Sequence, residues 1–240
     1  MRQKLLSITQ SLRLPSICTL CNQFHKGPLA VCSFCVGLIK PLGSACIHCA
    51  SPLPDEQYLI CGSCIIKPPH YDKAIIGYTF DEPLRSLIHQ FKYQNGLHLC
   101  NFLCQLMLNA LQKTQDIPQC LIPVPMHPLR IKQRGFNQAA LLSKKLARKL
   151  KIPYDLTSCQ KRMNTEPQAS LDRKQRQKNV RQAFHATPLP YEHVAIIDDL
   201  LTTGNTANEL ALTLKKTGVK QVDVWCCART VTQSIPDKPG

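Results

Sequence analysis

The chain has 240 residues, a mass of 27.0 kDa and a formal net charge of +15, enough length for one substantial domain and a small companion. No apolar run reaches a membrane span, and residues 1–14 lack the continuous apolar core and cleavage site of a secretory signal. With 14 cysteines, many in regular pairs, this points away from a membrane-inserted or secreted disulfide protein; it favours a cytoplasmic chain whose reduced thiols bind metal.

Leu5, Leu6, Ile8, Leu12 and Leu14 in the leader suggest a short surface helix resting on the protein. Four C-x-x-C pairs follow: Cys18/Cys21, Cys32/Cys35, Cys46/Cys49 and Cys61/Cys64. Each pair presents two thiolates on one tight turn, and a tetrahedral zinc ion needs two such turns, so eight thiols predict two four-cysteine sites. Pairing neighbours assigns Cys18, Cys21, Cys32 and Cys35 to one ion and Cys46, Cys49, Cys61 and Cys64 to the other; the spacing leaves an interleaved pairing open. The role expected is structural, because every position on each ion is filled and metal supplies folding energy to a region poor in large apolar residues. His25 and His48 are not needed as ligands. A domain boundary falls at the stiff connector Lys67-Pro-Pro-His-Tyr71, dividing residues 1–66 from residues 67–240.

Beyond it, residues 74–80 read as a strand and residues 82–91 as a helix with Leu84, Leu87, Ile88 and Phe91 on one face. Residues 98–111 form a second, more apolar helix, in which Cys100 and Cys104 are core residues. Cys120-Leu-Ile-Pro-Val-Pro125 is a buried strand, followed by a loop at 126–129 and an amphipathic helix over Gln138–Leu150. Between His127 and Arg181 fifteen Lys/Arg face three acids, a field that attracts polyanions such as pyrophosphate-bearing sugars or a nucleic-acid backbone. Strands are expected near 154–156 and 180–184, with a polar excursion at 162–178 between them.

The most informative stretch is Val194-Ala-Ile-Ile-Asp-Asp-Leu-Leu-Thr-Thr-Gly-Asn-Thr206. Its apolar run predicts a buried parallel strand beside residues 120–125, which places Asp198 and Asp199 at the C-terminal sheet edge, where open α/β sheets bind ligands. Two adjacent carboxylates accept hydrogen bonds from a vicinal diol. Thr202, Thr203, Gly204 and Thr206 form a turn opening a helix to about residue 216, a nest for one phosphate. A sugar 5-phosphate with free 2′ and 3′ hydroxyls fits both. No G-x-x-x-x-G-K-[ST] or G-x-G-x-x-G segment supports another nucleotide site. Residues 219–230 supply the strand that closes the sheet.

Ile196-Ile-Asp-Asp-Leu-Leu-Thr-Thr-Gly-Asn-Thr206 resembles the phosphoribosyl pyrophosphate (PRPP) motif of type I phosphoribosyltransferases. With the cysteine pairs, Arg134-Gly-Phe-Asn-Gln138 and Asn179-Val-Arg-Gln-Ala-Phe184, residues 18–230 resemble the ComF family and its GntX-type relatives. The resemblance implies an α/β fold: a type I phosphoribosyltransferase-like parallel sheet with helices on both faces, plus a small N-terminal zinc-ribbon domain. It implies PRPP held with Mg2+ by Asp198, Asp199, Leu200, Leu201, Thr202, Thr203, Gly204, Asn205 and Thr206, with Arg134 on the leaving pyrophosphate and His127 orienting phosphate. Residues 162–178, with Gln168, Leu171 and Arg176, match the flexible catalytic loop, and Phe91-Lys92-Tyr93 a feature near the active site. The reaction implied is phosphoribosyl transfer with release of pyrophosphate, linked to incoming single-stranded DNA and competence-machinery proteins in natural transformation. PRPP-binding regulators without turnover share the motif, so non-catalytic sensing with DNA binding, and a regulator whose basic surface contacts another protein, stand beside transfer.

Overall fold

The computed structural model describes residues 15–94, 96–112, 114–161 and 183–231. The N-terminal part contains a two-residue ribbon, β1 (Ser16–Ile17) with β2 (Phe24–His25), and two short helices, α1 (Ser33–Val36) and α2 (Gly62–Ile66). Then come β3 (Lys73–Thr79), α3 (Leu84–Tyr93), a 3₁₀ turn at Gly96–Leu99, α4 (Cys100–Leu111), β4 (Cys120–Pro123), α5 (Pro128–Arg134) and α6 (Gln138–Leu150). An antiparallel pair, β5 (Cys159–Lys161) with β6 (Phe184–Ala186), precedes β7 (His193–Ile197), β8 (Leu200–Leu201), α7 (Asn205–Lys215) and β9 (Gln221–Arg229). Among the described residues no helix is long and apolar enough to cross a membrane.

The central sheet is parallel, in the order β3-β9-β7-β4, with β8 also paired to β9. As expected, β4 and β7 are neighbours, in register from Cys120 opposite Val194 to Pro123 opposite Ile197. The final strand differs from expectation: β9 lies inside the sheet rather than closing it. Its apolar alternation suggests one buried face, yet Val222 through Ala228 are all buried. Trp225 and Cys227 enter one core with α3, α4 and α6, whereas Val222, Val224 and Cys226 enter another with α7. A parallel strand covered on both faces needs apolar residues on both.

The cysteine-rich region covers the edge at β3. Leu42 donates its N–H to Gly77 O (2.9 Å), Thr79 to Lys40 O (3.1 Å) and Ala74 to Ile47 O (2.9 Å). These bonds satisfy an edge that would otherwise be open to another chain. Val31, Cys35 and Ile39 join the α3 core, while Leu42 and Ala50 join the α7 core, so the region grips both faces. The connector is fastened too: Tyr71 is buried, and His70 donates its N–H to Asn208 Oδ1 at 2.6 Å.

Two local expectations change. The extended stretch near 154–156 makes only a bridge from Tyr154 to Leu121, because the Asp155 carboxylate accepts the N–H groups of Thr157 (2.7 Å) and Ser158 (2.9 Å), turning the chain. The flanking strands are therefore β5 and β6. Part of the loop expected after β4 is helix α5, with His127 as its N-cap.

Candidate functional site

β7 and β8 both pair with β9, one after the other, and Asp198-Asp199 forms the break between them. The break is held by backbone: Asp198 N donates to Trp225 O (3.1 Å), and Cys227 N to Asp199 O (3.2 Å). Leu200 and Leu201 continue as β8 and carry the chain to the turn. Thr202 and Thr203 are exposed, Gly204 caps α7 in the left-handed region (φ 78°), and Asn205 and Thr206 begin the helix. Gly204 has no side chain to cap this helix end, and Thr203 Oγ1 accepts the Asn205 N–H at 3.4 Å; the next N–H groups have no acceptor within the helix. The turn therefore presents donors and a positive helix end.

Asp199 is 4% exposed at its side chain and pairs with the Lys92 ammonium, Nζ to Oδ2 2.9 Å. Burial opposes the Lys92 charge, but Asp199 and then Asp198 outweigh it and hold its pKa above the ordinary lysine value. For Asp198, desolvation first and the neighbouring Asp199 second push the carboxyl up to about 8, against the pull of Lys92. Its Oδ1 accepts the Asp199 N–H at 2.9 Å. Lys161, on β5, is brought down to about 8 by burial and by Arg130, while Asp198 opposes the shift. Lys92 and Lys161 thus bring positive charge from two other elements to the acidic pair, with Arg130 beside Lys161.

Arg134 ends α5 and stacks over the Tyr93 ring, 4.6 Å from the guanidinium carbon to the centroid, while Phe136 meets Phe91 at 6.0 Å between centroids. Phe91-Lys92-Tyr93 and Arg134-Gly-Phe136 therefore interlock. Asn137 caps α6 through Ala139 N (3.0 Å) and donates to Val124 O (3.1 Å), fixing the loop after β4. His127 Nδ1 accepts the Leu129 N–H at 3.3 Å, which gives this ring a capping role. Arg176 and the rest of 162–178, with Gln168, Leu171 and Asn179, lie outside the described residues, as does the leader.

Lys92, Lys161 and Arg229 are the additions from structure. Lys92 looks like a helix-end cation in the sequence, and only the Phe91-Lys92-Tyr93 resemblance draws notice to it. The other two carry no local signal.

A Cβ placed on Gly204 would lie 3.1 Å from Tyr71 Oη in a backbone conformation that disfavours side chains. Gly204→Ala is expected to cost about 1–2 kcal/mol in urea unfolding. Tyr71→Phe in the same chain should return part of that loss, since the hydroxyl is the obstacle. An unchanged midpoint for Gly204→Ala would be incompatible with this turn.

The eight paired cysteines gather by neighbours: Cys18, Cys21, Cys32 and Cys35 in one set, Cys46, Cys49, Cys61 and Cys64 in the other, with Sγ atoms within 4.8 Å. Cys21 and Cys32 sulfurs are 3.9 Å apart and those of Cys49 and Cys61 3.6 Å. A tetrahedron with zinc–sulfur bonds of about 2.3 Å separates its sulfurs by about 3.8 Å. Burial disfavours the Cys18 thiolate, but backbone N–H groups of Cys32, Cys21 and Leu20 outweigh it and lower the pKa to about 6. Cys46 is lowered to about 7 in the same way, burial being outweighed by the N–H groups of Cys61, Cys49 and His48. Burial raises the pKa of Cys35, Cys61 and Cys64 in the same sets, so it is the sulfur spacing that suits both sets to zinc. His48 Nδ1 sits 2.7 Å from Asp72 O instead. Cys100 and Cys104 are core residues, their thiols pushed up to about 11 by burial.

At the opposite end of the strands, Asp116, His193 and Asp223 also cluster. His193 offers Nε2 to Asp223 (3.0 Å) and Nδ1 to Asp116 (3.4 Å), while Lys73 and Gln221 already occupy Asp116 Oδ2. One ring nitrogen per carboxylate, with an ammonium alongside, is an ion-pair cluster rather than a chelate.

No protein-family model matches the chain. "Competence protein F" of Haemophilus influenzae is 37% identical over 220 residues, covering 87% of this chain and 94% of that protein. "DNA utilization protein YhgH" of Escherichia coli K12 is 32% identical over 227 residues, covering 92% of this chain and all of its own. Among solved structures, the glutamine PRPP amidotransferase of B. subtilis, complexed with ADP and GMP, aligns with a TM-score of 0.37 at 16% identity, over 56% of this chain and 29% of that one. With such identity along nearly its whole length, the chain belongs to the ComF (competence protein F) family.

Proposed function

We propose that the chain binds PRPP with Mg2+ at the C-terminal edge of the sheet and transfers the phosphoribosyl group to an acceptor, releasing pyrophosphate. The observation that carries this reading is the sheet break at Asp198-Asp199, followed after β8 by the exposed Thr202-Thr203 pair, Gly204 and α7. Asp198 and Asp199 accept the ribose hydroxyls. The Thr202–Thr206 segment holds the 5-phosphate through N–H groups and hydroxyls. Arg134, positioned on Tyr93, faces the leaving pyrophosphate, with His127 shaping the loop after β4 and Arg176 approaching from residues 162–178. The chain's contribution to such a step is orientation and charge placement.

Mg2+ fits the donor set: the carboxylates are hard oxygen ligands, and Asp198 lacks full compensation for its charge. Bound there, Mg2+ would supply charge neutralisation to the sugar hydroxyls and pyrophosphate together. Zn2+ in both four-cysteine sets is structural, with no open position. The cytoplasm is the compartment that keeps these thiols reduced.

A second reading has its own support in the names of the relatives, which refer to competence and DNA utilization. On that reading the chain senses PRPP without turnover and handles single-stranded DNA or competence-machinery proteins through its basic stretch. Titration of zinc-loaded protein with PRPP and Mg2+ should release heat and be competed by ribose 5-phosphate. No heat and no competition would end both readings. Pyrophosphate release with a panel of bases and amines favours transfer; binding without release, together with retention of a single-stranded oligonucleotide, favours sensing.

A further inference from the structure

The guanidinium of Arg229, the last residue of β9, is committed to neutral acceptors on two separate stretches of chain. Nη1 donates to the carbonyls of Leu201 (3.1 Å), Thr202 and Thr230 (3.0 Å). On its other side Nε donates to Cys49 O (2.9 Å), and Nη2 reaches Ser51 Oγ (3.5 Å). Cys49 belongs to the second cysteine set: its Sγ lies 3.6 Å from Cys61 Sγ and 3.2 Å from Ser51 Oγ. One rigid, planar fork therefore joins the second cysteine knuckle to the turn after Asp199. Lysine, with a single nitrogen, cannot span both.

The consequence follows from peptide geometry. In a trans peptide the C=O and the next N–H point in opposite directions. Holding the Leu201 and Thr202 carbonyls toward Arg229 aims the N–H groups of Thr202 and Thr203 away from it, on the two exposed residues of the turn. These donors then stand ready beside the opening of α7. Tyr71 supports the same turn, its Oη lying close below Gly204, and it shares a core with Ala50 of the knuckle. The first cysteine set has no such link to the turn among the described residues; its Cys18 and Cys35 pack into the core that contains α3.

We propose that Arg229 is a positioning residue that orients the Thr202 and Thr203 N–H donors, and that the second cysteine knuckle, by holding Arg229 through Cys49, sets the affinity of this turn for a phosphate monoester. The affinity part rests on the turn being the phosphate site proposed above; the orientation part does not. Zinc in the second knuckle is then a determinant of ligand binding as well as of folding, whereas zinc in the first acts on the α3 side.

The test uses the full, zinc-loaded chain with ribose 5-phosphate as probe, and reads affinity by calorimetry and amide hydrogen exchange at Thr202 and Thr203. Arg229→Gln should weaken binding about tenfold and speed exchange at both amides, with Arg229→Lys intermediate. Cys61→Ser, in the second knuckle, should do the same, and the double variant should be no weaker than either single one, because both act through one link. Cys21→Ser, in the first knuckle, should leave exchange at the turn near wild type. Should Cys61→Ser not fold, Arg229→Gln still decides the matter, since it keeps every zinc ligand: zinc withdrawal by a chelator should quicken turn exchange in wild type and not further in the variant. Additive losses, or turn exchange indifferent to both Arg229 and zinc, would overturn the proposal. Wild type that fails to bind ribose 5-phosphate, yet shows the exchange pattern, would overturn the phosphate reading and leave the orientation part standing.

Discussion

Lys92→Met is expected to remove about 3 kcal/mol of unfolding free energy at pH 8, because it deletes one partner of a buried ion pair and strands the other. Asp199 keeps 4% of its side-chain surface, and the ammonium 2.9 Å away neutralises it. The figure sits at the low end for such a deletion because Lys92 is 22% exposed, leaving water some access to the vacated space. The Lys92 pKa is raised in the folded state, so its contribution is complete at pH 8 and would fade only in strongly alkaline solution. Without it Asp198, already pushed up to about 8 against the pull of Lys92, keeps its proton at pH 8 and the stranded charge is that of Asp199. At pH 5, where Asp198 is protonated with or without Lys92, the loss should be somewhat smaller. Lys92→Met/Asp199→Asn should recover most of the stability by removing the stranded charge. Urea unfolding at both pH values measures this, and a Lys92→Met midpoint equal to wild type at pH 8 would show that the pair does not form.

Lys92 also marks the limit of what the sequence discloses. The acidic pair, the threonine turn and the strand carrying them are legible because a local pattern encodes each: an apolar run, two adjacent carboxylates, then residues suited to a turn. The neighbouring sets of cysteines follow from repeated spacing in the same way. Lys92 finds its partner 107 positions away, and Arg229 bonds to residues near both 50 and 201, contacts created by the order of strands in the sheet. That order is the weakest expectation. The last strand looks like a closing edge when alternation in Val222-Asp-Val-Trp-Cys-Cys-Ala228 is given one inner face, although Asp223 faces a buried histidine, His193, and Trp225 fills a core. A buried aspartate paired by a distant residue imitates a surface position. The expected strand at Tyr154 fails for a more local reason, the turn imposed by the Asp155 side chain.

Affinity for PRPP with Mg2+ should rise by up to about tenfold per pH unit between pH 6 and 8, then fall above it. The rising limb belongs to Asp198, whose carboxyl is pushed up to about 8 by desolvation and by Asp199, and which must shed its proton to accept a sugar hydroxyl or a cation. The falling limb belongs to Lys161, brought down to about 8 by burial and by Arg130, which loses its charge above that value and with it an attraction for phosphates. Because the ligand phosphates also titrate near pH 6, the variants carry the argument. Asp198→Asn should lower affinity at pH 8 and flatten the acid limb to that of the ligand, and Lys161→Met should flatten the alkaline one. Stability should move the other way. A carboxyl with a raised folded pKa holds its proton in the folded state between about pH 4 and 8 after the unfolded chain has released it, so its contribution to stability declines as pH rises through that window. Asparagine keeps an oxygen for the Asp199 N–H, now 2.9 Å from Asp198 Oδ1, without the charge. Asp198→Asn should thus unfold at higher urea than wild type at pH 8 while binding its ligand less well, the opposition expected of a group kept for binding at the expense of the fold. A variant less stable than wild type at pH 8, or a wild-type affinity flat from pH 6 to 8, would exclude Asp198 as the titrating group.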